Sequence, residues 1–173
     1  MAFLPAPRRW RTLRIRTLLV LVAVIAVGIA APLELARRER WLEWVSGELL
    51  HAAEAGDVPR IRSLLDEGAP IECELRNRDP FTPLMLASWR GKAEAVRLLL
   101  ERGADPDHEN VERERAITMA AIENHWDIFR MLVEYGADLT ACDATGRTGL
   151  DYARLGAPPE LLQWLEARML HPR

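Results

Sequence analysis

The sequence predicts an all-α chain: a stack of about four helix-turn-helix units preceded by one apolar N-terminal helix. Three observations carry this. Residues 82–107 read as two short helices joined by a tight turn, and that pattern returns at a fixed 33-residue interval. An unbroken apolar run from Leu18 to Ala31 follows an Arg-rich start.

Thr82 has the side chain of an N-cap, and Pro83 takes the first helical position, where its missing N–H costs nothing. The first helix of this unit is expected from Pro83 to about Arg90, with Gly91 as its stop, and the second from about Ala93 to Arg102. Ala95, Val96, Leu98, Leu99 and Leu100 cover more than one face of the second helix, so it expects neighbours on two sides. Gly103 supplies a left-handed C-cap. A unit of this size cannot bury its own apolar surface and implies copies of itself. Gly91 and Asn124 stand 33 residues apart, as do Gly103 and Gly136. Gly-Ala-Asp at 103–105 returns at 136–138, and Gly68-Ala69-Pro70 lies 35 residues upstream. Thr148-Gly149-Leu150-Asp151-Tyr152-Ala153 matches Thr82-Pro83-Leu84-Met85-Leu86-Ala87 at twice the interval.

This period, with its Thr-Pro-Leu start and the Ala that comes after it, resembles the ankyrin repeat. The resemblance covers about residues 47–168 in four units, near 47–78, 79–111, 112–144 and 145–168. The third unit keeps the apolar spacing in Arg115-Ala116-Ile117-Thr118-Met119-Ala120 without Thr or Pro, and the fourth has Gly149 where Pro is usual. Leu50, Met85, Thr118 and Asp151 occupy the place of the family's turn His. The resemblance implies a solenoid that binds a protein partner with a concave face of loop tips and first helices. Carried over residue by residue, that face takes Arg78, Asp79, Phe81, Trp89 and Arg90 from the second unit. From the third it takes Val111, Glu112, Glu114, Ile122 and Glu123, and from the fourth Ala144, Thr145, Arg147 and Leu155. Phe81, Trp89 and Ile122 stand out, because large apolar groups at surface places are candidate anchors. Trp89 has a second reading, in which it folds against Phe81 and covers the turn. Trp126, Met85, Met119 and Met131 read as core fillers.

Both ends of the array look closed. In the first unit Arg60 replaces the apolar residue found at Ala95 and Ile128, and in the last Glu166 stands where Leu100 and Val133 stand earlier. Residues 34–46 read as a linker or capping helix with Leu35, Leu42 and Val45 on one face and Trp41 and Trp44 near it. Such a helix covers the first repeat, as terminal repeats require, or lies on a membrane–water interface. Ser46 is the expected N-cap of the next helix. The link from Ile71 to Phe81 is two residues longer than its counterparts, and residues 169–173 form a tail.

The net charge of −3 hides an asymmetry: residues 1–46 carry +5 and the remainder −8. Residues 1–16 hold Arg8, Arg9, Arg11, Arg14 and Arg16 and no acid, and residues 17–33 continue as an apolar segment. A positive flank before an apolar run keeps the N-terminus cytoplasmic and sends the C-terminal part of the chain outward. As an anchor, residues 17–33 reach the low end of the ~17–25 needed to span a bilayer. As a cleaved signal, Gly28 and Ala30 put small residues at the −3 and −1 places, so that the mature chain begins at Ala31. The length of the run favours the anchor. The expected location is therefore the inner membrane, single-pass, with periplasmic repeats; the alternative is a soluble periplasmic chain.

Nothing in the sequence invites catalysis, a cofactor, a metal or a small-molecule substrate. His51 with Glu54 and Asp57 falls on the first helix at the place of Leu86, which makes it a structural His. Asp105, Asp107 and Glu109 alternate like the start of a calcium loop, but Asn110 holds the obligatory glycine place and Ala116 the glutamate place. No Ser or Cys lies in an activating context, and an acidic repeat array lacks the basic face nucleic acid demands. Cys73 and Cys142 lie in loops two repeats apart, roughly 16–20 Å at helix spacings of ~8–10 Å, too far for an internal disulfide. Two functions remain: a membrane-tethered, outward-facing protein-binding module acting as scaffold or regulator, or a secreted binder that inhibits or protects an enzyme of the same compartment.

Overall fold

The computed structural model describes residues 34–74 and 81–170. The chain divides into two compact units, residues 1–41 and 42–173. In the first, residues 34–41 are helical, Arg37 donates to Glu34 at 3.4 Å, and Leu35 and Trp41 are exposed. The basic tail and apolar segment read from residues 1–33 lie outside the described residues. Of the described helices, none is long and apolar enough to cross a membrane.

Among the described residues there are eight helices: α1 (34–55), α2 (Val58–Asp66), α3 (Pro83–Trp89), α4 (Ala93–Glu101), α5 (Ala116–Ile122), α6 (Trp126–Glu134), α7 (Gly149–Gly156) and α8 (Pro159–Leu170). Ser46, expected to open a new helix, is instead buried inside α1. The reason is local: Val45, Leu49, Ala52 and Ala53 form a buried stripe at helical spacing, which favours continuing the helix through Ser46 and Gly47. At the other end α8 runs to Leu170, past the expected repeat boundary at 168 and into the expected tail.

Two layers build the stack. α3 packs on α5 and α5 on α7; alongside them α2 packs on α4 and α4 on α6. Leu49, Leu64, Leu84, Leu99, Ile117 and Phe129 are fully buried between the layers, in one apolar cluster running from Val45 to Leu165. The predicted N-cap is formed: the Met85 N–H donates to Thr82 Oγ1 at 3.3 Å. Thr118 and Asp151, at the place of the family's His, close the starts of their own helices. Thr118 Oγ1 accepts from the Arg115 N–H at 3.2 Å, and Asp151 Oδ2 accepts from the Thr148 N–H and hydroxyl at 3.0 and 2.7 Å.

The turn inside each pair is also what joins one pair to the next. Gly91 has φ +68, and a Cβ there would lie 2.6 Å from His125 Cε1. The imidazole of one repeat therefore rests on the bare backbone turn of the previous one. Asn124 takes the equivalent turn with φ 60, a conformation Asn tolerates better than most residues. Cys73 and Cys142 are both free thiols. Cys73 is buried with its thiol donating to the Ser46 carbonyl at 3.7 Å, and burial pushes its pKa up to about 11.

Candidate partner-binding face

The face is organised by the 33-residue interval. Trp89, Ile122 and Leu155 occupy one register place in the last turns of α3, α5 and α7. Because those three helices pack in sequence, the three side chains form a row across the stack. Ile122 is 50% exposed and Leu155 74%. Together on one row they are a candidate apolar contact patch.

Trp89 is half-buried and is held from several sides. Its ring centroid lies 5.8 Å from that of Phe81, tilted by 43°, so the covering reading of Trp89 describes part of its surroundings. The Arg90 guanidinium sits over the indole at 4.3 Å, and the indole Nε1–H donates to Glu123 at 3.1 Å. Arg90 in turn donates to Glu54 from Nη2 at 2.6 Å and from Nε at 3.0 Å. A chain of contacts thus runs Glu54–Arg90–Trp89–Glu123 through α1, α3 and α5. Both ends of the Arg90–Glu54 pair are more than a third exposed, so such a bridge adds ~0–1 kcal/mol to stability. Its consequence is orientation: the indole is fixed before any partner arrives.

The loop tips are built by two buried side chains, Asn110 and Asp143, themselves 33 residues apart. Asn110 Oδ1 accepts from the Glu112 and Glu114 N–H groups at 3.0 and 2.8 Å, and its Nδ2 donates to the Glu114 carboxylate at 2.9 Å. Asp143 Oδ1 accepts from the Thr145 and Arg147 N–H groups at 2.8 and 3.1 Å, and the Tyr152 hydroxyl donates to Oδ2 at 2.7 Å. Burial pushes the Asp143 carboxyl up, but bonds from Thr145, Tyr152 and the Arg147 backbone outweigh it and hold it below the ordinary aspartate value.

Of the residues read from the sequence, Phe81, Trp89, Arg90, Ile122, Glu123 and Leu155 are brought to this row. Val111, at 82% exposure, and Glu112 project from a loop tip. Glu114 is different: its carboxylate is spent on Asn110, because the loop needs that acceptor to close. Arg147 is exposed, its guanidinium 5.8 Å from the Tyr152 ring centroid. Arg78 and Asp79 lie outside the described residues. Sequence reasoning missed Glu54, Asn110 and Asp143. The last two carry a signal, since Asn77, Asn110 and Asp143 recur at 33 residues; nothing local marks Glu54, whose role depends on a partner 36 residues away.

The acidic stretch at 105–109 is structural. Asp105 Oδ1 accepts from the Asp107 N–H at 2.9 Å, and Asp107 Oδ1 accepts from the Asp138 N–H at 2.7 Å. Glu72 accepts from the Asp105 N–H at 2.7 Å, and His108 Nε2 lies 2.9 Å from Glu74 Oε1. Burial raises the Glu72 pKa, against the Asp105 N–H and the nearby His108. These bonds staple successive loops. Among the described residues no group of three or more side chains has the arrangement to hold a metal, and His51 is exposed.

The family profile described as ankyrin repeats (many copies) matches residues 64–112 and 99–153, a little over half the chain. The chain is 32% identical over 114 residues to ankyrin repeat and SAM domain-containing protein 6 of Rattus norvegicus, covering 65% of this chain and 13% of that protein. It is 34% identical over 110 residues to the probable E3 ubiquitin-protein ligase XBOS33 of Oryza sativa subsp. japonica, covering 62% of this chain and 21% of that protein. Both of these relatives are several times longer than the part matched. Against cyclin-dependent kinase 4 inhibitor B of Rattus norvegicus it is 33% identical over 121 residues, covering 69% of this chain and 90% of the relative.

Proposed function

The chain belongs to the ankyrin-repeat family, and from that premise we propose that it is a membrane-tethered, outward-facing module that holds or regulates a protein partner. The observation that carries the binding face is the row of Trp89, Ile122 and Leu155, two of them at least half exposed. Trp and Arg are enriched among interface hot spots, and Trp89 with Arg90 supplies both at one edge of the row. The tether is the apolar segment at residues 17–33, and its five preceding arginines set the orientation that puts the repeats in the periplasm. The module is read as working by binding, and the carboxylates of Asp105, Asp107 and Asp143 serve the loops by accepting from backbone N–H groups.

Two measurements test this. A membrane-impermeant maleimide applied to intact cells labels Cys142 if the repeats face outward and spares it if they face the cytoplasm. Ile122→Asp and Leu155→Asp together abolish recovery of a partner that co-purifies with the wild-type chain. Unchanged recovery from a folded double variant defeats the proposed face.

A second reading has its own support: the match to a relative named as an inhibitor covers most of that relative. In it, cleavage after Ala30 releases a soluble periplasmic chain that inhibits or protects an enzyme there. A mature chain beginning at Ala31 in the soluble fraction selects this reading and removes the anchor.

A further inference from the structure

The loop that ends the second repeat meets that of the first around one imidazole. The Asp107 N–H donates to Asp105 Oδ1 at 2.9 Å and the His108 N–H to the Asp105 carbonyl at 3.3 Å, which closes a turn over 105–108. The His108 ring then lies between two carboxylates of the preceding loop. Nε2 is 2.9 Å from Glu74 Oε1, and Nδ1 is 3.7 Å from Glu72 Oε2. A carboxylate only accepts, so the shorter contact assigns the proton of a neutral ring to Nε2. Nδ1 is left to present a lone pair to Glu72. Glu72 Oε1 accepts from the Asp105 N–H at 2.7 Å, but Oε2 is buried without a hydrogen-bond partner among the described residues. A buried acceptor with no donor is costly, and more so when it is charged. The cluster is one proton short.

The other groups that face it are engaged elsewhere. Cys73, between the two glutamates, donates its thiol to the Ser46 carbonyl of α1 at 3.7 Å. The Asp105 and Asp107 carboxylates accept from the Asp107 and Asp138 N–H groups. Glu109, next in the chain, is paired with Arg113 and Arg115. A proton on Nδ1 gives Glu72 Oε2 its donor and makes the ring a cation between two anions. Histidine is the side chain whose charge ordinarily changes between about pH 5 and 8. Burial already raises the Glu72 carboxyl above the ordinary glutamate value, against the Asp105 N–H and His108, which favours proton uptake at the same place. We propose that Glu72, Glu74 and His108 form a proton-operated clasp between the first and second repeats. On mild acidification a solvent proton goes to Nδ1, and the imidazolium holds both carboxylates at once. The folded chain then binds a proton that the unfolded chain holds less tightly, so the clasp strengthens as pH falls through this range and is lost as pH rises. His108 stands two residues before Asn110, so the clasp ties down the loop whose tip carries Glu112.

The experiment uses the full chain in neutral detergent, compared at about pH 8 and about pH 5.5. Imidazole nitrogen NMR shifts, assigned to His108 by their loss in His108→Gln, read the proton directly. At the higher pH they are expected to show Nε2 protonated and Nδ1 bare, and at the lower pH both protonated. Urea unfolding then reads the coupling. The folding equilibrium of wild type relative to His108→Gln should gain about three- to tenfold on acidification, as for a charged hydrogen bond discounted for side chains 28 to 32% exposed. Glu72→Gln keeps the oxygen that accepts from Asp105 and puts an N–H donor opposite Nδ1. It should be at least as stable as wild type at the higher pH and lose most of the gain on acidification. Nδ1 protonated at the higher pH, or still bare at the lower, overturns the clasp. So does a difference between wild type and His108→Gln that is the same at both. A Glu72→Gln variant that keeps the full gain overturns Glu72 as the acceptor this proton serves.

Discussion

Replacing Gly91 with Ala probes how one repeat sits on the next. Two costs are expected. The backbone at Gly91 has φ +68, in the left-handed region where a Cβ costs ~1–2 kcal/mol. The new Cβ would also lie 2.6 Å from the His125 ring, which has to leave its place; displacing a packed side chain costs a further ~1–3 kcal/mol. Gly103 separates the two, because it has φ +91 and nothing within 4 Å of an added Cβ. Gly103→Ala therefore reports the backbone cost alone, and stiffening of the unfolded chain is common to both variants. In urea unfolding of the full chain, Gly91→Ala should lose about 2–5 kcal/mol and Gly103→Ala about 1–2, with unchanged slopes. Adding His125→Ala to Gly91→Ala should recover ~1–2 kcal/mol as a coupling energy. Equal losses for the two glycines, with no coupling to His125, would refute the stacking of the imidazole on the turn.

The same structure sets other outcomes. Phe129→Ala, in the fully buried centre of α6, should cost ~3–5 kcal/mol in urea unfolding, because the stack closes poorly over a cavity of that size. Asp143 is held below the ordinary aspartate value in the folded chain, so its stabilisation is complete above the unfolded pKa of ~3.9 and is lost as pH falls through the lower folded value. Asp143→Asn keeps the acceptor that Asn110 provides in the preceding loop but gives up the charge and the oxygen that accepts from the Tyr152 hydroxyl; it should lower stability at neutral pH and flatten the acid limb of a pH–stability curve. A thiol reagent at mild alkaline pH should titrate one cysteine quickly in the native chain. Cys142→Ser should remove that fast phase, because Cys73 is buried with its pKa near 11 and reacts only on unfolding.

The stack was legible because its signals are local and repeated. Thr82-Pro83 caps a helix wherever it occurs, and Gly91, Gly103 and Gly136 mark turns whose 33-residue interval needs no tertiary knowledge. Ser46 misled for an instructive reason: a serine resembles a cap in isolation, while the buried stripe from Val45 to Ala53 that carries α1 through it is set by the repeat packed alongside. The row of Trp89, Ile122 and Leu155 could be placed from the interval alone. The bonds that orient it could not, since Glu54, Arg90 and Glu123 are brought together by stacking and the interval alone does not say which of their side chains bond. Glu114 shows the same limit in reverse, a charge that reads as free in the sequence and that a neighbouring Asn110 consumes.

The central claim is that this row meets a protein in the cell. A photocrosslinking residue placed at Ile122, at Leu155 and, as a control, at the exposed Arg97 on α4 tests it directly. Irradiation of living cells should give the same discrete adduct from positions 122 and 155 and none from 97. An adduct from Arg97 with none from the row would contradict the account.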